Sequence, residues 1–258
     1  MKLVLVTFIV AILLMSMTSF AVSSFSTPSQ GHASFSAPLA FNPLTIKNRT
    51  LSSPNAQYYG FFGHSIAVSG KLVVVGAPFE TADGYTQAGH TYIFKAMTGK
   101  LVTNLTSPNA QEYGYFGYSV GMSGKLVSVG ALFENASGYS EAGHAYVFNA
   151  MTGKLIATLT SPNAQSGGAF GVSVAMSGKL VSVGAEGETA DGYSAAGHAY
   201  VFKAGALIAN LTSTNAEEGG YFGFSAAMSG KFVTVGAIGE YADGYQAAGN
   251  AYIFYNIK

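Results

Sequence analysis

The chain has 258 residues, no cysteine, a formal net charge of zero and only 9% charged residues. Without cysteine there is no disulfide framework, thiolate metal site or cysteine nucleophile; without an excess of cations there is no basic surface for phosphates or anionic headgroups, which excludes nucleic acid as a partner. Its 33 Gly, 16 Tyr and 18 Phe against no Trp describe short strands and turns rather than helices.

At the N-terminus, Lys2, the apolar run Leu3 to Met15 and the small residues around Ser19-Phe20-Ala21 predict a signal peptide over 1–21, cut after Ala21. The competing expectation is an uncleaved anchor, since the apolar stretch through Val22 nears the roughly 20 residues that span a bilayer. Either way the remainder is expected to be secreted or extracellular, associated with the cell surface, and to meet a membrane only through that segment. Residues 22–43 are rich in Ser, Ala and Pro without a periodic apolar face and read as a linker.

From residue 44 the chain is repetitive. Leu51, Leu105, Leu159 and Leu211 are equivalent, which divides it into units 51–104, 105–158, 159–210 and 211–258. The stretch MSGKLVSVGA occurs identically at Met122 to Ala131 and Met176 to Ala185, with near copies at Val68 to Ala77 and Met228 to Ala237. In the first unit the pattern predicts strands at Phe62 to Ser69, Lys71 to Ala77, His90 to Phe94 and Leu101 to Thr106. Ser69-Gly70 and Met97 to Lys100 are short enough for hairpins, whereas Pro78 to Gly89 and Ser107 to Tyr115 are long loops that must emerge at the opposite end of the strands. The second strand is apolar on both faces and the first carries small residues, as inner strands of radially packed sheets require.

The expected fold is therefore all-β: a β-propeller of four four-stranded blades over residues 44–258. The last unit ends after its third strand, and Leu44 to Leu51 (LTIKNRTL) resembles an orphan fourth strand, so residues 44–50 are expected to close the ring by completing the last blade. The alternative is an open or dimeric eight-bladed assembly, a homo-oligomer joined by exchange of that strand.

Phe62-Gly63 and Gly76-Ala77-Pro78, in the stretch FFGHSIAVSGKLVVVGAP, resemble the FG-GAP repeat of the integrin α-chain propeller. Phe116-Gly117 with Gly130-Ala131, Phe170-Gly171 with Gly184-Ala185, and Phe222-Gly223 with Gly236-Ala237 keep the pattern without the proline. The resemblance spans Leu44 to Lys258 and implies a propeller with a cell-adhesion type of role. Integrin-type units often hold Ca²⁺ in an Asp/Asn-rich loop between strands one and two, because that cation needs about 6–8 oxygen ligands. Here that loop is only Ser69-Gly70-Lys71 and its equivalents, so Ca²⁺ is not carried over and no cofactor is expected.

The long loops hold the remaining candidates. Glu80 with Asp83, Glu188 with Asp191 and Glu240 with Asp243, and Glu134 in the second unit, could offer paired carboxylates to a metal; an Asp-Gly turn explains the same pattern, and no metal is expected. His90, His144 and His198 are equivalent, with Asn250 in fourth place, which fits a hydrogen bond to a loop. No nucleophile elbow, phosphate loop or symmetry-breaking acid pair appears, so an enzyme is not expected. Asn55, Gln57, Tyr58 and Tyr59, Asn109, Gln111, Tyr113 and Tyr115, and Tyr221 combine amides with tyrosines and are the expected binding residues for an extracellular carbohydrate or protein. Asn48, Asn104, Asn135 and Asn210 fit the N-glycosylation sequon. Together these predict a non-catalytic binding or adhesion module acting through its long-loop face. The alternatives are a structural envelope or assembly subunit, and, more weakly, a polysaccharide-acting hydrolase or lyase.

Overall fold

A computed structural model describes residues 47–257, so the expected signal peptide, the linker and residues 44–46 lie outside the described residues. Fifteen strands follow in order: β1 Ser65–Ser69, β2 Leu72–Ala77, β3 His90–Lys95, β4 Leu101–Leu105, β5 Phe116–Ser123, β6 Leu126–Ala131, β7 His144–Asn149, β8 Leu155–Leu159, β9 Phe170–Ser177, β10 Leu180–Ala185, β11 His198–Lys203, β12 Ala206–Leu211, β13 Phe222–Ser229, β14 Phe232–Ala237 and β15 Asn250–Phe254. They form four antiparallel sheets in strict chain order, the first three with four strands and the last with β13, β14 and β15. The second strands of the two middle sheets, β6 and β10, are buried because each lies inside its own sheet and between neighbouring sheets, whereas β14 of the last sheet is only partly covered. β1, β5, β9 and β13 lie side by side, as the small residues of the first strands predicted.

The core is divided into three layers, each between two neighbouring sheets. Val74, Ile93 and Leu105 of the first sheet face Phe116, Val127, Val129, Tyr146 and Phe148 of the second. Ala145, Val147 and Leu159 face Phe170, Val181, Val183 and Tyr200 in the next layer, and Ala199, Val201 and Leu211 face Phe222, Val233 and Val235 in the third. The second and third sheets thus bury one apolar face forward and one backward, which is why neither of their faces alternates with polar residues.

The repeated glycines are explained by the same layers. Gly117 has φ +91°, a region open to glycine, and its carbonyl lies against Gly76 of the preceding sheet, where a Cβ would stand 2.0 Å from that oxygen. Gly130 meets Gly171 and Gly184 meets Gly223 in the same way, at 1.9 Å each. The Phe-Gly and Gly-Ala pairs are therefore two sides of one contact that brings successive sheets to backbone distance.

The expected ring closure is not formed. Residues 47–51 form no strand, the fourth sheet has three strands, and the first and fourth sheets do not pack on each other. Leu51 instead packs on Val75, Tyr92 and Phe94 of the first sheet, the place that Leu105 takes on the second. The orphan segment thus acts as a preceding blade's fourth strand, and three repeated steps leave the fourth sheet short of the first. Likewise β1 starts at Ser65 rather than Phe62, because no preceding sheet supplies the backbone acceptor that fixes Phe116 at the start of β5.

Candidate functional site

Every unit builds its long-loop end in the same way. After the Gly-Ala of the second strand, the chain buries one glutamate and then turns out. Glu80, Glu134, Glu188 and Glu240 are fully buried, and each accepts a hydrogen bond of 2.5 Å on Oε2 from the tyrosine of the third strand: Tyr92, Tyr146, Tyr200 and Tyr252. In the second and third units a histidine joins, His144 Nδ1 at 2.9 Å and His198 Nδ1 at 3.2 Å from the carboxylate. Asn250 occupies the same place and donates Nδ2–H to Glu240 at 2.8 Å. His90 differs, with Nδ1 3.1 Å from Asn104 Oδ1 and Nε2 3.2 Å from the Thr81 carbonyl. Burial, then Glu134, pushes the Tyr146 hydroxyl well above the ordinary tyrosine range.

The exposed turn beyond each glutamate is a small hairpin. Ala82 bridges to Tyr85, with Asp83 at φ +52° and Gly84 at φ +85° between them, the backbone that an Asp-Gly pair adopts most readily. Asp191 and Asp243 repeat it. The carboxylates of each expected pair are thereby separated, the glutamate inward on its tyrosine and the aspartate outward at a turn tip. Among the described residues no three His, Cys, Asp or Glu gather as a metal would need.

The expected amides hold the two long loops together. Asn55 Nδ2 and Gln57 Nε2 donate to the Thr81 carbonyl, both at 3.3 Å, and Gln57 Oε1 accepts from Thr81 N–H at 2.9 Å. Asn109 reaches the Asn135 carbonyl, and Gln111 Oε1 accepts from Asn135 N–H at 3.0 Å. These side chains are committed to backbone, so the rings are left facing solvent. Tyr58 and Tyr59 are the most open, Tyr113 and Tyr221 are exposed, and Tyr115 is half-buried against Phe79 at 4.7 Å. All four sequon asparagines are exposed.

A cleft of about 370 Å³ opens among these loops, lined by Gln111, Glu112, Tyr113, Tyr115, Phe133, Asn135, Ser140 and Glu141. Three expected binding residues meet there. The sequence reading missed Phe133, Ser140 and Glu141, and also Tyr85, Tyr139, Tyr193 and Tyr245, one exposed tyrosine at the same turn of each unit. The Gly-Tyr pair repeated in every unit was their signal.

Net charge concealed a separation. All twelve Asp and Glu residues lie in the long loops, while Lys71, Lys95, Lys100, Lys125, Lys154, Lys179, Lys203 and Lys231 all lie at the hairpin end and are exposed. The expectation of no basic surface is corrected: the zero sum arises from an acidic end and a basic end. The hairpin end also holds the larger, apolar cleft of about 590 Å³, between Leu72, Met97 and Met151 with Lys71, Lys95 and Lys125 at its rim.

Glu186 breaks the repeat, standing where the other units have Pro78, Leu132 and Ile238. Its Oε2 is buried without a partner, and burial raises its pKa from 4.5 to about 7. With the folded pKa above the unfolded one, its contribution is intact below pH 4.5 and is lost as pH rises through 7. Allowing for partial exposure, Glu186→Leu should stabilise the protein by about 2 kcal/mol at pH 8 and by almost nothing at pH 4. Urea unfolding at the two pH values measures this; an equal effect at both would contradict it.

The FG-GAP repeat model matches residues 47–94, 100–148, 154–202 and 206–254. No curated protein sequence matches the chain. Among solved structures it is similar to the computationally designed Ika8 protein, with 18% identity over 75% of this chain and 45% of that one and a TM-score of 0.47. It is also similar to BamB from Moraxella catarrhalis, with 12% identity over 74% of this chain and 42% of that one and a TM-score of 0.42. The chain spans less than half the length of either. The four family matches fall in register with the four sheets and cover most of the sequence, and the chain belongs to the FG-GAP repeat family.

Proposed function

We propose that the protein is a secreted or surface-displayed recognition module that binds a neutral or cationic ligand, a glycan or a protein surface, through its long-loop end. The supporting observation is backbone strain at two tyrosines. Tyr59 and Tyr113 sit at φ +56° and +61°, where the equivalent positions of the third and fourth units are Gly167 and Gly219. A bulky residue in that region costs about 1–3 kcal/mol, and such strain is retained where the side chain serves a purpose other than stability. Tyr113 lines the loop cleft, whose size is within the range of small-ligand sites.

Exposed Asp83, Glu112, Glu141, Asp191, Glu218 and Asp243 around the rings disfavour anionic ligands. Family membership supports a binding or structural module.

Tyr59→Gly with Tyr113→Gly should raise the melting temperature by a few degrees while abolishing binding to glycan or protein arrays. Unchanged binding by the more stable variant would refute the site.

A further inference from the structure

The three junctions between sheets use one set of contacts, and the two unmatched halves of a fourth junction stand exposed on the first and fourth sheets. At each junction a serine hydroxyl donates to the carbonyl of the next Phe-Gly glycine: Ser65 to Gly117 at 2.8 Å, Ser119 to Gly171 and Ser173 to Gly223 at 2.7 Å. A second serine accepts the next turn's glycine N–H at 2.9 Å: Ser69 from Gly124, Ser123 from Gly178, Ser177 from Gly230. Three loop carbonyls complete the set. Thr86, Gln87 and Ala88 accept from Tyr113, Tyr115 and Phe116, and Ser194, Ala195 and Ala196 accept from Gly219, Tyr221 and Phe222.

On the fourth sheet the corresponding groups are Ser225, Ser229 and the carbonyls of Gln246, Ala247 and Ala248. On the first sheet they are the Gly63 carbonyl, Gly70 N–H and the amides of Tyr59, Phe61 and Phe62. Among the described residues none of these is paired in this way. The glycine contact is split likewise: an added Cβ at Gly236 meets only Ser225, and at Gly63 it meets nothing.

The apolar parts agree. Ile66 and Val68 are 64% and 66% exposed, whereas Val174 and Met176, their counterparts in the third unit, are 7% and 9% exposed. Ile253 is 66% exposed, whereas Ile93 and Val201 are fully buried.

We propose that the fourth sheet of one copy seats on the first sheet of a second copy through this same set of contacts. The partner is a second copy because every unmet group on one sheet finds its complement, residue for residue, on the other sheet of this chain. Such a contact is heterologous, and two copies joined at both junctions close eight sheets into a ring. Leu51 of the incoming copy, already held on its own first sheet, brings residues 48–51 beside β15. That covers an edge strand which is otherwise unpaired. The pairing does not rest on recognition at the loop end, although it uses the backbone amide of Tyr59, whose ring serves that recognition.

The test is the mass of the full chain by sedimentation. The wild type should be dimeric at about 100 µM, well above the Kd of a specific interface of this kind. Ile66→Lys and Ile253→Asp should each be monomeric, with unchanged circular dichroism and a melting temperature that does not depend on protein concentration, since both side chains are exposed in the single chain. Mixed in equal amounts the two should give a dimer, because the intact fourth sheet of one meets the intact first sheet of the other. A wild type that stays monomeric, variants that stay dimeric, or a mixture that does not associate would each overturn the proposal.

Discussion

Gly130→Ala and Gly184→Ala should each destabilise the protein by about 3–5 kcal/mol, and the chemically identical Gly236→Ala by less than about 1 kcal/mol. At the first two positions the added methyl would lie 1.9 Å from a backbone carbonyl of the next sheet, so neighbouring sheets must separate or tilt. Interiors packed at crystal-like density absorb such a displacement only by losing contacts across the whole layer. At Gly236 the methyl meets the Ser225 hydroxyl at 2.5 Å and no backbone, and a serine rotamer change relieves it. The backbone is equally extended at all three positions, with φ outside the left-handed region, so helix or strand propensity cannot produce the difference. Denaturant midpoints of the three variants, measured on monomeric protein, check the ranking. Equal losses at Gly130 and Gly236 would mean that the strand itself, and not the contact between sheets, requires glycine.

That contact also marks how far the fold was legible in the sequence. The strands were readable because each unit repeats a β-branched run after a Ser-Gly turn, and four copies average out the ambiguity of any single short run. Hairpin and loop ends followed from turn lengths alone. The relation of the first sheet to the fourth was not readable. Closure depends on the tilt between successive sheets, set by backbone-to-backbone approach at Gly76, Gly130 and Gly184, and composition carries no angle. Leu44 to Leu51 resembles a fourth strand in sequence, but the described part, residues 47–51, forms none, and the resemblance did not say against which sheet Leu51 is held.

The site shows the same division. Tyr59 and Tyr113 were legible as exposed rings, yet their left-handed backbone became visible only beside Gly167 and Gly219 at the same register. The charge separation was present in the sequence throughout, since every lysine from Lys71 to Lys231 adjoins a hairpin turn and every carboxylate a long loop. Summing charge over the chain discarded it. The buried glutamates were read as turn residues or metal candidates because their partners, the tyrosines of the third strand, lie 12 positions away in sequence and adjoin them only through sheet register.

Removing one of those glutamates should have the other large effect: Glu134→Ala is expected to destabilise by about 3–5 kcal/mol. The substitution strips the acceptor from the fully buried Tyr146 hydroxyl, removes the carboxylate that lies 2.9 Å from His144 Nδ1, and leaves a void beneath the loop. A buried donor without an acceptor costs about 1–3 kcal/mol, and the void left by the side chain brings the loss to the stated total. Tyr146→Phe removes one of the groups that stabilise the carboxylate and should cost about 1–3 kcal/mol. The double variant should cost less than the two singles combined, since the hydroxyl and the carboxylate satisfy each other. The fourth unit supplies a control. Tyr252 is only partly buried beneath the exposed face of the last sheet, so water can replace Glu240 there, and Glu240→Ala should cost clearly less than Glu134→Ala. If instead these glutamates held a cation, the melting temperature of the wild type would rise with added Ca²⁺ and fall with chelator. The pairing of each carboxylate with a tyrosine hydroxyl, joined at Glu240 by the Asn250 amide, predicts that neither addition moves it, because one oxygen of each carboxylate already accepts from these donors and among the described residues no three His, Cys, Asp or Glu gather around it.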